Sequence, residues 1–263
     1  MNKASSPSVE RNWREEELAG ERDKNIWRTN HYVLPLLERL FGPDAERSSI
    51  RILSAGCGNG EDVDTLIDAG YQAVGIDPGY RNEEWRRRKH KGCFHVADAR
   101  YLPFEEGAFD MVLNVGVMEH IGAVGDTLEM LPDYQTHRKK FARELTRVTK
   151  PGGYILIATN NKPCPLDMWH GADRWGVRLH SPNEKFTVSF KEMKEFFCSG
   201  GDCEEAIPLG LENFFQFQKA GRHAWIRLLL GPIKAVIRII SKYDFLRVSF
   251  LNPFLIVLFR KRK

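Results

Sequence analysis

The chain has 263 residues, 42% of them hydrophobic and 28% charged, a composition that excludes a disordered protein and is typical of one large domain with its own core. Its five cysteines form no CxxC pair, which argues against a disulfide framework or a zinc cluster and favours a reducing compartment. The net charge of +4 divides into +10 for residues 219–263, with eleven cations and one acid, and −6 for residues 1–218.

The first predicted elements are two helices, at Trp13–Asp23 and Trp27–Phe41, which follow a polar stretch at residues 1–11. No apolar segment with a cleavage site precedes them, so we expect no signal peptide and a cytoplasmic protein. The sequence shows neither an internal repeat nor a low-complexity tract.

The next segment predicts a strand, a glycine turn and a helix. The strand is the apolar run at residues 50–53, and the helix covers residues 61–70, with acids in its first turn. Three alternating glycines lie between them: Gly56, Gly58 and Gly60. Because glycine has no Cβ, a ligand can lie directly against this backbone. Strand, glycine turn and helix together are typical of a site for a nucleotide-like ligand.

A second strand, Tyr71–Ile76, ends at Asp77. In an open parallel sheet, ligands bind beyond the carboxyl ends of the strands, so Asp77 is placed to accept hydrogen bonds from ribose hydroxyls. Three later units are predicted: a strand followed by an acid, a strand followed by Met-Glu-His, and a helix–turn–strand unit. They cover residues 92–99, 109–120 and 141–158.

Five short motifs follow one another in these units: GCGNG, GID, ADA with LPF, FDMV with MEHI, and KPGG. In this order they resemble the class I S-adenosylmethionine-dependent methyltransferases, of the broad type that includes the ubiquinone-biosynthesis methyltransferases. A Rossmann dehydrogenase is expected to share only the first two. The resemblance covers roughly residues 48–160 and implies an α/β fold. That fold is a Rossmann-like seven-stranded sheet, mostly parallel with an antiparallel last strand, with helices on both faces.

The resemblance divides the chain into a helical cover over the ligand mouth, residues 1–47, and the methyltransferase domain, residues 48–263. Within the domain, residues 161–188 are expected to form a lid loop, because a long connection rich in aromatic residues is typical of a functional loop. A helical insertion is expected at residues 213–251, between the sixth strand and a last strand at residues 253–260.

The cofactor that the resemblance implies is S-adenosylmethionine, with S-adenosylhomocysteine as the product. Asp77 is expected to bind its ribose diol and Asp98 its adenine amino group, with Ala99 donating a backbone N–H. Asn114 and Val115 are expected beside the methionine half. The residues expected to bind the cofactor are, in full, Ser54, Gly56, Cys57, Gly58, Gly60, Asp77, Pro78, Asp98, Ala99, Asn114 and Val115.

One position departs from the family pattern. The family usually has an acid at the end of the first strand, where it helps to hold the cofactor's ammonium group, and this chain has Ser54. Ser54 can contribute through a water molecule; alternatively, Glu61 or a backbone carbonyl takes over this contact. The change also admits another class of function, a non-catalytic regulator that binds S-adenosylmethionine.

Three histidines are candidates for a general base, from which a hydroxyl nucleophile benefits in methyl transfer. His120 follows the fourth strand at the rim of the expected site; alternatively, it only packs beside Glu119. His170 and His180 lie in the lid loop, where either can face the substrate. No metal site is predicted, because no segment carries a full set of ligands at suitable spacing.

The basic tail carries a predicted helix with cations at 227, 234, 238 and 242, which form one stripe. Apolar residues fill the rest of its surface, and a basic amphipathic helix of this kind is typical of a helix that lies on an anionic membrane. This interpretation assigns residues 222–251 to a peripheral membrane contact. Alternatively, the helix covers the core with snorkelling cations, or it binds RNA phosphates.

The leading hypothesis is O-methylation of a small-molecule, lipid-linked or glycan-type acceptor by a cytoplasmic enzyme close to a membrane face. After the fourth strand the chain has Asn114-Val-Gly, rather than the Asn/Asp-Pro-Pro-aromatic sequence of methyltransferases that act on nucleobase amino groups. Methylation of RNA or tRNA by means of the basic tail is the alternative enzymatic function.

Overall fold

The computed structural model describes residues 20–125, 127–171, 177–216 and 224–263. The predicted polar stretch at residues 1–11 and most of the predicted helix Trp13–Asp23 lie outside the described residues. The strands are, in chain order, β1 (Arg51–Ala55), β2 (Gln72–Ile76), β3 (Phe94–His95), β4 (Phe109–Val115), β5 (Thr149–Asn160), β6 (Leu166–Asp167), β7 (Arg178–Leu179), β8 (Cys203–Pro208) and β9 (Phe254–Lys261).

Six α-helices lie beside these strands in the described part of the chain, together with four 3₁₀ helices, at Arg47–Ser49, Tyr80–Arg87, Lys91–Cys93 and Met118–His120. The first, α1, runs from residue 20 through a π-helical turn at Thr29–Val33 and ends at Phe41. The others are α2 (Glu61–Asp68), α3 (Tyr134–Val148), α4 (Phe190–Cys198), α5 (Ala224–Lys242) and α6 (Asp244–Arg247). None of the described helices combines the length and the apolar composition that crossing a membrane requires.

Seven strands form one sheet with the order β3-β2-β1-β4-β5-β9-β8. β9 runs antiparallel to both of its neighbours, β5 and β8, and the pairs from β3 through to β5 are parallel. This confirms the predicted fold class, with the last strand of the chain as the antiparallel strand. The strand order reverses between β1 and β4, and ligands of open α/β sheets bind at such a reversal.

Side chains alternate between the two faces of the sheet, as the period of a strand requires. Leu156 belongs to the apolar cluster on one face and Ile155 to the cluster on the other. α1 and α2 cover the first face, where Leu37 and Leu66 are buried, and α3 and α4 cover the second, where Phe141 is buried. Because the central strands are buried on both faces, their sequences are nearly continuous apolar runs.

Local sequence explains where two of the helices begin. α4 begins at a capping box, in which the Ser189 hydroxyl accepts from the Glu192 N–H and the Glu192 carboxylate accepts from the Ser189 N–H. α2 begins directly after Gly60, and its first turn carries Glu61 and Asp62. Carboxylates are favourable there because the N-terminal end of a helix is partly positive.

The helical cover and the lid loop differ from their predictions in detail. Two N-terminal helices were expected, with a break between Asp23 and Trp27, but α1 is continuous across these residues. The lid loop at residues 161–188 is not wholly irregular, because β6 and β7 pair in an antiparallel ribbon within it. A bridge between Asn161 and Val188 joins its ends, so the loop is closed at its base. The insertion at residues 213–251 contains α5 and α6.

Gly60→Ala should destabilise the fold strongly. Residue 60 has a φ of 85°, and a Cβ there would lie 2.4 Å from the Phe94 ring. We expect the free energy of unfolding to fall by about 3 kcal/mol, since a left-handed conformation costs about 1–2 kcal/mol without glycine and overpacking adds about 1–3 kcal/mol. Gly125→Ala is the matched control, with a φ of 58° and no atom within 4 Å of its Cβ. Equal losses for the two variants in urea unfolding would contradict the role assigned to Phe94.

Candidate functional site

The glycine turn after β1 is tied to the end of β2 by backbone hydrogen bonds. The Gly56 and Cys57 N–H groups both donate to the Ile76 carbonyl, at 2.8 and 2.9 Å. Gly56 has a φ of 86°, and a Cβ there would collide with Val117, so this position requires glycine. The bare backbone of the turn therefore lies at the carboxyl end of the sheet, beside the reversal in strand order.

Asp77 follows β2 and is fixed by the same turn. One of its carboxylate oxygens accepts from the Gly58 N–H at 3.1 Å, and the other accepts from the Gly79 N–H at 2.8 Å. A carboxylate has room for about four hydrogen bonds, so both oxygens retain lone pairs for further donors. The geometry suits an Asp that receives a pair of hydroxyl groups.

A cleft of about 560 Å³ opens beside this turn. α1 supplies one wall through Glu21, Lys24, Asn25, Arg28, Thr29 and Val33, and the lid loop supplies another through Trp169 and His170. Seven of the eleven residues expected to bind the cofactor line the cleft: Ser54, Gly56, Cys57, Gly58, Asp77, Pro78 and Val115.

Asp98 and Ala99, the expected adenine contacts, are not among the lining residues. The Arg100 side chain donates to both carboxylate oxygens of Asp98, at 2.6 Å from Nη2 and 3.0 Å from Nε. Burial alone would raise the pKa of Asp98, but the hydrogen bonds from Arg100 lower it. Ala99 is buried in the core. The structure therefore pairs this acid with a neighbouring guanidinium rather than turning it toward the cleft.

Gly60 and Asn114 also lie away from the cleft. The Cβ position of Gly60 faces the ring of Phe94, so this glycine serves packing. Asn114 is buried, and its Nδ2 donates to the Ala55 carbonyl at 2.6 Å. The amide of Asn114 thus joins β4 to the end of β1.

The cleft contains an acid that the sequence analysis did not assign. The Ser54 hydroxyl donates to the Asp62 carboxylate, so α2 brings a carboxylate to the end of β1, where the family pattern has an acid in the strand itself. Burial raises the pKa of Asp62 to about 6, although the hydrogen bond from Ser54 opposes this shift. Burial likewise lowers the pKa of Arg28, which lines the same cleft, to about 10, against the opposing charge of Asp62.

Glu61, the substitute that the sequence suggested, lines a separate groove. Its carboxylate is buried, pairs with Arg88 at 3.1 Å and accepts from Asn25 Nδ2 at 3.4 Å. Consecutive residues of a helix point about 100° apart, since a turn holds 3.6 residues. Because both acids stand in the first turn of α2, no signal in the sequence tells which one reaches Ser54.

Two of the three candidate histidines meet at the cleft. His120 Nε2 and His170 Nε2 are 3.3 Å apart, and His170 Nδ1 lies 2.9 Å from the Asp167 carboxylate. Because a carboxylate only accepts, we assign the proton of His170 to Nδ1, which leaves its Nε2 to accept from His120. Burial alone would raise the pKa of Asp167, but hydrogen bonds from His170 and the Trp169 N–H hold it well below its usual range. We call His120, His170 and Asp167 the histidine network.

Buried groups hold the histidine network in place. The Phe186 ring lies edge-on to both imidazoles, with centroids 5.1 Å from His120 and 4.9 Å from His170. Arg178 Nε donates to Asp167 at 3.0 Å. Arg138, which is fully buried, donates to the Phe186 carbonyl at 2.6 Å. These contacts fix the ring orientations, as second-layer hydrogen bonds do around catalytic groups.

The same region offers ligands for a metal ion. Among the described residues, Glu119, His120 and His170 each present a donor atom, and these atoms lie within 4.8 Å of one another. The Glu119 carboxylate also accepts from the Thr159 hydroxyl at 2.5 Å. The third ligand comes from the lid loop, about fifty positions further along the chain, so the sequence spacing did not predict this group. The side chains suit either proton transfer between imidazoles or a divalent ion.

His180, the third candidate, is separate from this network. Its side chain is 2% exposed, and its Nδ1 lies 3.2 Å from Glu184. Glu184 in turn pairs with Arg178 at 2.5 Å, and the backbone of His180 donates to the Pro165 carbonyl. His180 therefore packs within the lid loop and does not line the cleft.

Aromatic rings form an apolar wall beside the histidine network. The Trp169 ring centroid lies 4.6 Å from that of Phe254 and 5.2 Å from that of Phe215. All three side chains line the cleft, and Trp169 is 39% exposed. We call Trp169, Phe215 and Phe254 the aromatic wall. One side of the cleft is thus charged, and the other is apolar.

A family model described as a methyltransferase domain matches residues 26–191. The match begins in α1, includes the glycine turn and the histidine network, and ends in α4. The chain belongs to this methyltransferase family. The resemblance inferred from the sequence motifs is confirmed.

Three relatives illustrate the family. A probable S-adenosylmethionine-dependent methyltransferase of Mycolicibacterium smegmatis is 26% identical over 234 residues, 84% of this chain and 83% of that protein. The chloroplastic tocopherol O-methyltransferase of Arabidopsis thaliana is 32% identical over 124 residues, 44% of this chain and 32% of that protein. A ubiquinone biosynthesis O-methyltransferase of Rhizobium etli is 29% identical over 131 residues, 46% of this chain and 47% of that protein. The chain thus spans most of the first relative and half or less of the other two.

A solved structure shares the fold at low sequence identity. Phosphoethanolamine N-methyltransferase 2 of Haemonchus contortus, in complex with S-adenosylmethionine, has a TM-score of 0.50 and 18% identity, and the match covers 88% of this chain and 51% of that one. At this identity the likeness shows the fold alone. The family match and the Mycolicibacterium relative identify the chain as an S-adenosylmethionine-dependent methyltransferase. S-adenosylmethionine is therefore the cofactor of this protein.

The residues of the cleft fit this cofactor. The volume of the cleft, about 560 Å³, lies within the range of about 300–1,000 Å³ that small-molecule sites occupy. Gly56 and Gly58 present backbone without side chains, and Asp77 retains lone pairs for a diol. Two carboxylates, Asp62 and Asp77, line a site for a ligand with sulfonium and ammonium charges. The donor and acceptor types therefore match the chemistry of the cofactor.

Asp62→Asn should stabilise the fold at neutral pH. The pKa of Asp62 is about 6 in the folded protein, against an ordinary value of 3.8, so the folded state holds the proton more tightly than the unfolded state. Wild-type stability therefore falls as the pH rises through this interval. We expect the variant to gain about 1–2 kcal/mol at a pH of about 8 and nothing below about 4, by urea unfolding. If the variant is more stable than the wild type by the same amount at every pH, ionisation of the buried Asp62 is not the cause of the difference.

Proposed function

We propose that the protein transfers the methyl group to a hydroxyl oxygen of an apolar small molecule. One observation carries this proposal: the histidine network opens onto the same cleft as the glycine turn, next to the aromatic wall. A hydroxyl group gains most from a base at the moment of transfer, because its proton must leave as the new bond forms.

In this proposal, the cofactor is bound by bare backbone and by two carboxylates of this chain. Asp77 accepts from the ribose hydroxyls, the backbone of Gly56 and Gly58 lies against the ligand, and Asp62 with Ser54 receives the ammonium group. Bound S-adenosylmethionine supplies the electrophilic sulfonium methyl group. Asp62 performs this role only when it is ionised, because a neutral acid attracts a cation weakly.

His120 accepts the proton of the acceptor hydroxyl. His170 and the ionised Asp167 stabilise the positive charge that then spreads over the two imidazoles, in the way a carboxylate supports a histidine base. A positioned base contributes about 10²–10⁴-fold to the rate. The remaining acceleration comes from alignment of the acceptor, since methyl transfer is an in-line displacement.

The aromatic wall favours a flat or lipid-linked acceptor. Trp169 is 39% exposed and packs against Phe254 and Phe215, so its ring offers a surface on which an acceptor ring can stack. Two of the relatives are named for O-methylation, of tocopherol and in ubiquinone biosynthesis, which agrees with a hydroxyl acceptor on an apolar molecule. Glycan-type acceptors and RNA are the other substrates to be tested.

The non-catalytic alternative rested on Ser54, which stands where the family pattern has an acid. The contact between Ser54 and Asp62 weakens that argument, since a carboxylate lies beside the end of β1 after all. The intact histidine network also favours catalysis over simple binding.

A panel of acceptors tests the proposed reaction. Purified protein is incubated with S-adenosylmethionine labelled in its methyl group and with 4-alkylcatechol, 4-alkylaniline, a short glycan or bulk tRNA. We expect label in the catechol and none in its dimethyl ether, the matched control without a free hydroxyl. Label in the aniline or the tRNA instead would overturn the proposal, and so would tight cofactor binding without transfer to any acceptor.

Asp62→Asn should weaken the binding of S-adenosylmethionine and remove its pH dependence. In the wild type, the affinity should fall about tenfold from a pH of about 8 to about 5, because only about a tenth of Asp62 is ionised one pH unit below its pKa. At the higher pH the variant should bind about 10–100-fold more weakly, by calorimetry, since a hydrogen bond to a charged group is lost. Glu61→Gln, the adjacent acid outside the cleft, should change the affinity less than threefold. Equal effects of the two variants would contradict the assignment.

His120→Gln should lower the rate of methyl transfer to the catechol by about 10²–10⁴-fold with little change in cofactor affinity. Asp167→Asn should lower the rate by a smaller factor than His120→Gln does. It should also shift the pH at which the rate is half-maximal, because it removes the charge that supports His170. His180→Gln should retain the rate within about threefold, since His180 lies outside the cleft. A large loss with His180→Gln and none with His120→Gln would contradict the base assignment.

Dialysis against EDTA separates a base from a metal centre at the same side chains. We expect the wild-type rate to survive dialysis unchanged. A loss that added Mg²⁺ or Zn²⁺ restores would replace the base interpretation with metal binding by Glu119, His120 and His170.

A further inference from the structure

The segment that holds α5 and α6 exposes an apolar surface that the cleft does not use. Seven large hydrophobic side chains of this segment are each more than two-fifths exposed: Ile233, Val236, Ile239, Tyr243, Phe245, Phe250 and Leu251. We call these side chains the outer face. Soluble proteins expose single apolar residues routinely, but seven within nineteen positions of one segment indicate an interaction site.

The opposite side of α5 already covers the core. Ile240 and Ser241 are buried, and the Ser241 hydroxyl accepts from the Leu211 N–H at 2.9 Å. Val236 and Ile239 lie about 140° and about 160° around the helix from Ser241, since a turn holds 3.6 residues, and both are more than half exposed. Core covering therefore accounts for the inner side of α5 and leaves the outer face unexplained.

A stripe of cations runs beside the outer face. Lys234, Arg238 and Lys242 are spaced by four residues and are all exposed, so they lie along one line of the helix. Within residues 231–251 the sequence has a single acid, Asp244. Arg238 also pairs with Glu212 at 3.4 Å. Lys234 and Lys242, which lies three residues from Ile239, add positive charge to this surface.

The turn after α6 is rigidly attached to the domain. Arg247 donates to the Ser241 and Pro208 carbonyls, at 2.8 and 2.9 Å. Asn161 Nδ2, at the end of β5, donates to the Ser249 and Asn252 carbonyls, at 2.8 and 2.7 Å. Phe250 and Leu251 are thus presented by a turn that needs no reordering to bind a partner.

We propose that the outer face and its cations dock on an anionic phospholipid membrane. The cores of protein–protein interfaces are depleted of lysine, whereas helices that lie in a membrane interface combine apolar and aromatic side chains with a flanking row of Lys and Arg. The charge pattern therefore fits lipid phosphates better than a second protein. This inference goes beyond the proposed reaction, since it involves neither the cofactor nor the acceptor.

Co-sedimentation with vesicles tests the proposal on the full chain. Vesicles of phosphatidylcholine alone are compared with vesicles that also contain phosphatidylglycerol, in the absence of cofactor and acceptor. We expect binding to the anionic vesicles, weakened by added salt, and much weaker binding to the neutral ones. Equal binding to both, or to neither, would overturn the proposal.

Three sets of substitutions locate the surface. Lys234→Gln, Arg238→Gln and Lys242→Gln together should lower the partition coefficient about 100-fold, since each cation near an anionic surface contributes roughly fivefold. Ile239→Gln with Phe245→Gln should lower it further by removing buried apolar area. The matched control removes three exposed cations from α3 and α4 and should leave binding unchanged: Lys139→Gln, Lys191→Gln and Lys194→Gln. A loss as large in the control as in the first set would contradict the assignment to α5.

Sedimentation velocity without lipid tests a competing occupant. A wild-type dimer that Ile239→Gln with Phe245→Gln converts to monomer, together with no binding to vesicles, would mean that the outer face joins two copies of the chain. Cofactor affinity, measured by calorimetry on the same variants, should equal that of the wild type. A failure of the proposed methyl transfer is therefore distinguishable from a failure of membrane docking.

Discussion

The cleft depends on the attachment of the glycine turn to the end of β2. Two N–H groups of the turn donate to a single carbonyl, that of Ile76, and this fixes where the backbone lies relative to the carboxyl edge of the sheet. The glycine turn also holds Asp77 in place and sets the direction in which α2 leaves the sheet. The carboxylate of Asp62 reaches Ser54 only because α2 begins at that point. Both acidic contacts of the cleft thus follow from one backbone arrangement.

The cleft has a charged side and an apolar side. Its charged side is built by the sheet edge, α1 and α2, whose positions the core fixes, and it suits the cationic cofactor. Its apolar side comes from the lid loop and from the segments around Phe215 and Phe254. The histidine network lies where the two sides meet. In the proposed reaction, this arrangement places cofactor binding on one side of the cleft and acceptor recognition on the other.

Much of the fold was predictable because its signals are local. Apolar runs with turn signals behind them specify the strands, and the capping box at Ser189 specifies the start of α4. The position of Asp98 outside the lining of the cleft was not predictable in this way. The motif is present, but Arg100, two residues later, binds the carboxylate. Nor was the pairing of His120 with His170, which depends on how the lid loop folds back over β5. The sequence thus indicates where an element begins and ends, but it does not indicate which partner a polar side chain binds, whether that partner is near or distant along the chain.

The order of residues in the lid couples the aromatic wall to the histidine network. Trp169 and His170 are neighbours, and the backbone N–H groups of both donate to Asp167, at 3.0 and 3.1 Å. Trp169 and His170 are therefore held together. A displacement of the lid would remove Trp169 from the aromatic wall and His170 from His120 at once. In the proposed reaction, the ring that receives the acceptor and the imidazole that supports His120 are therefore present together or absent together.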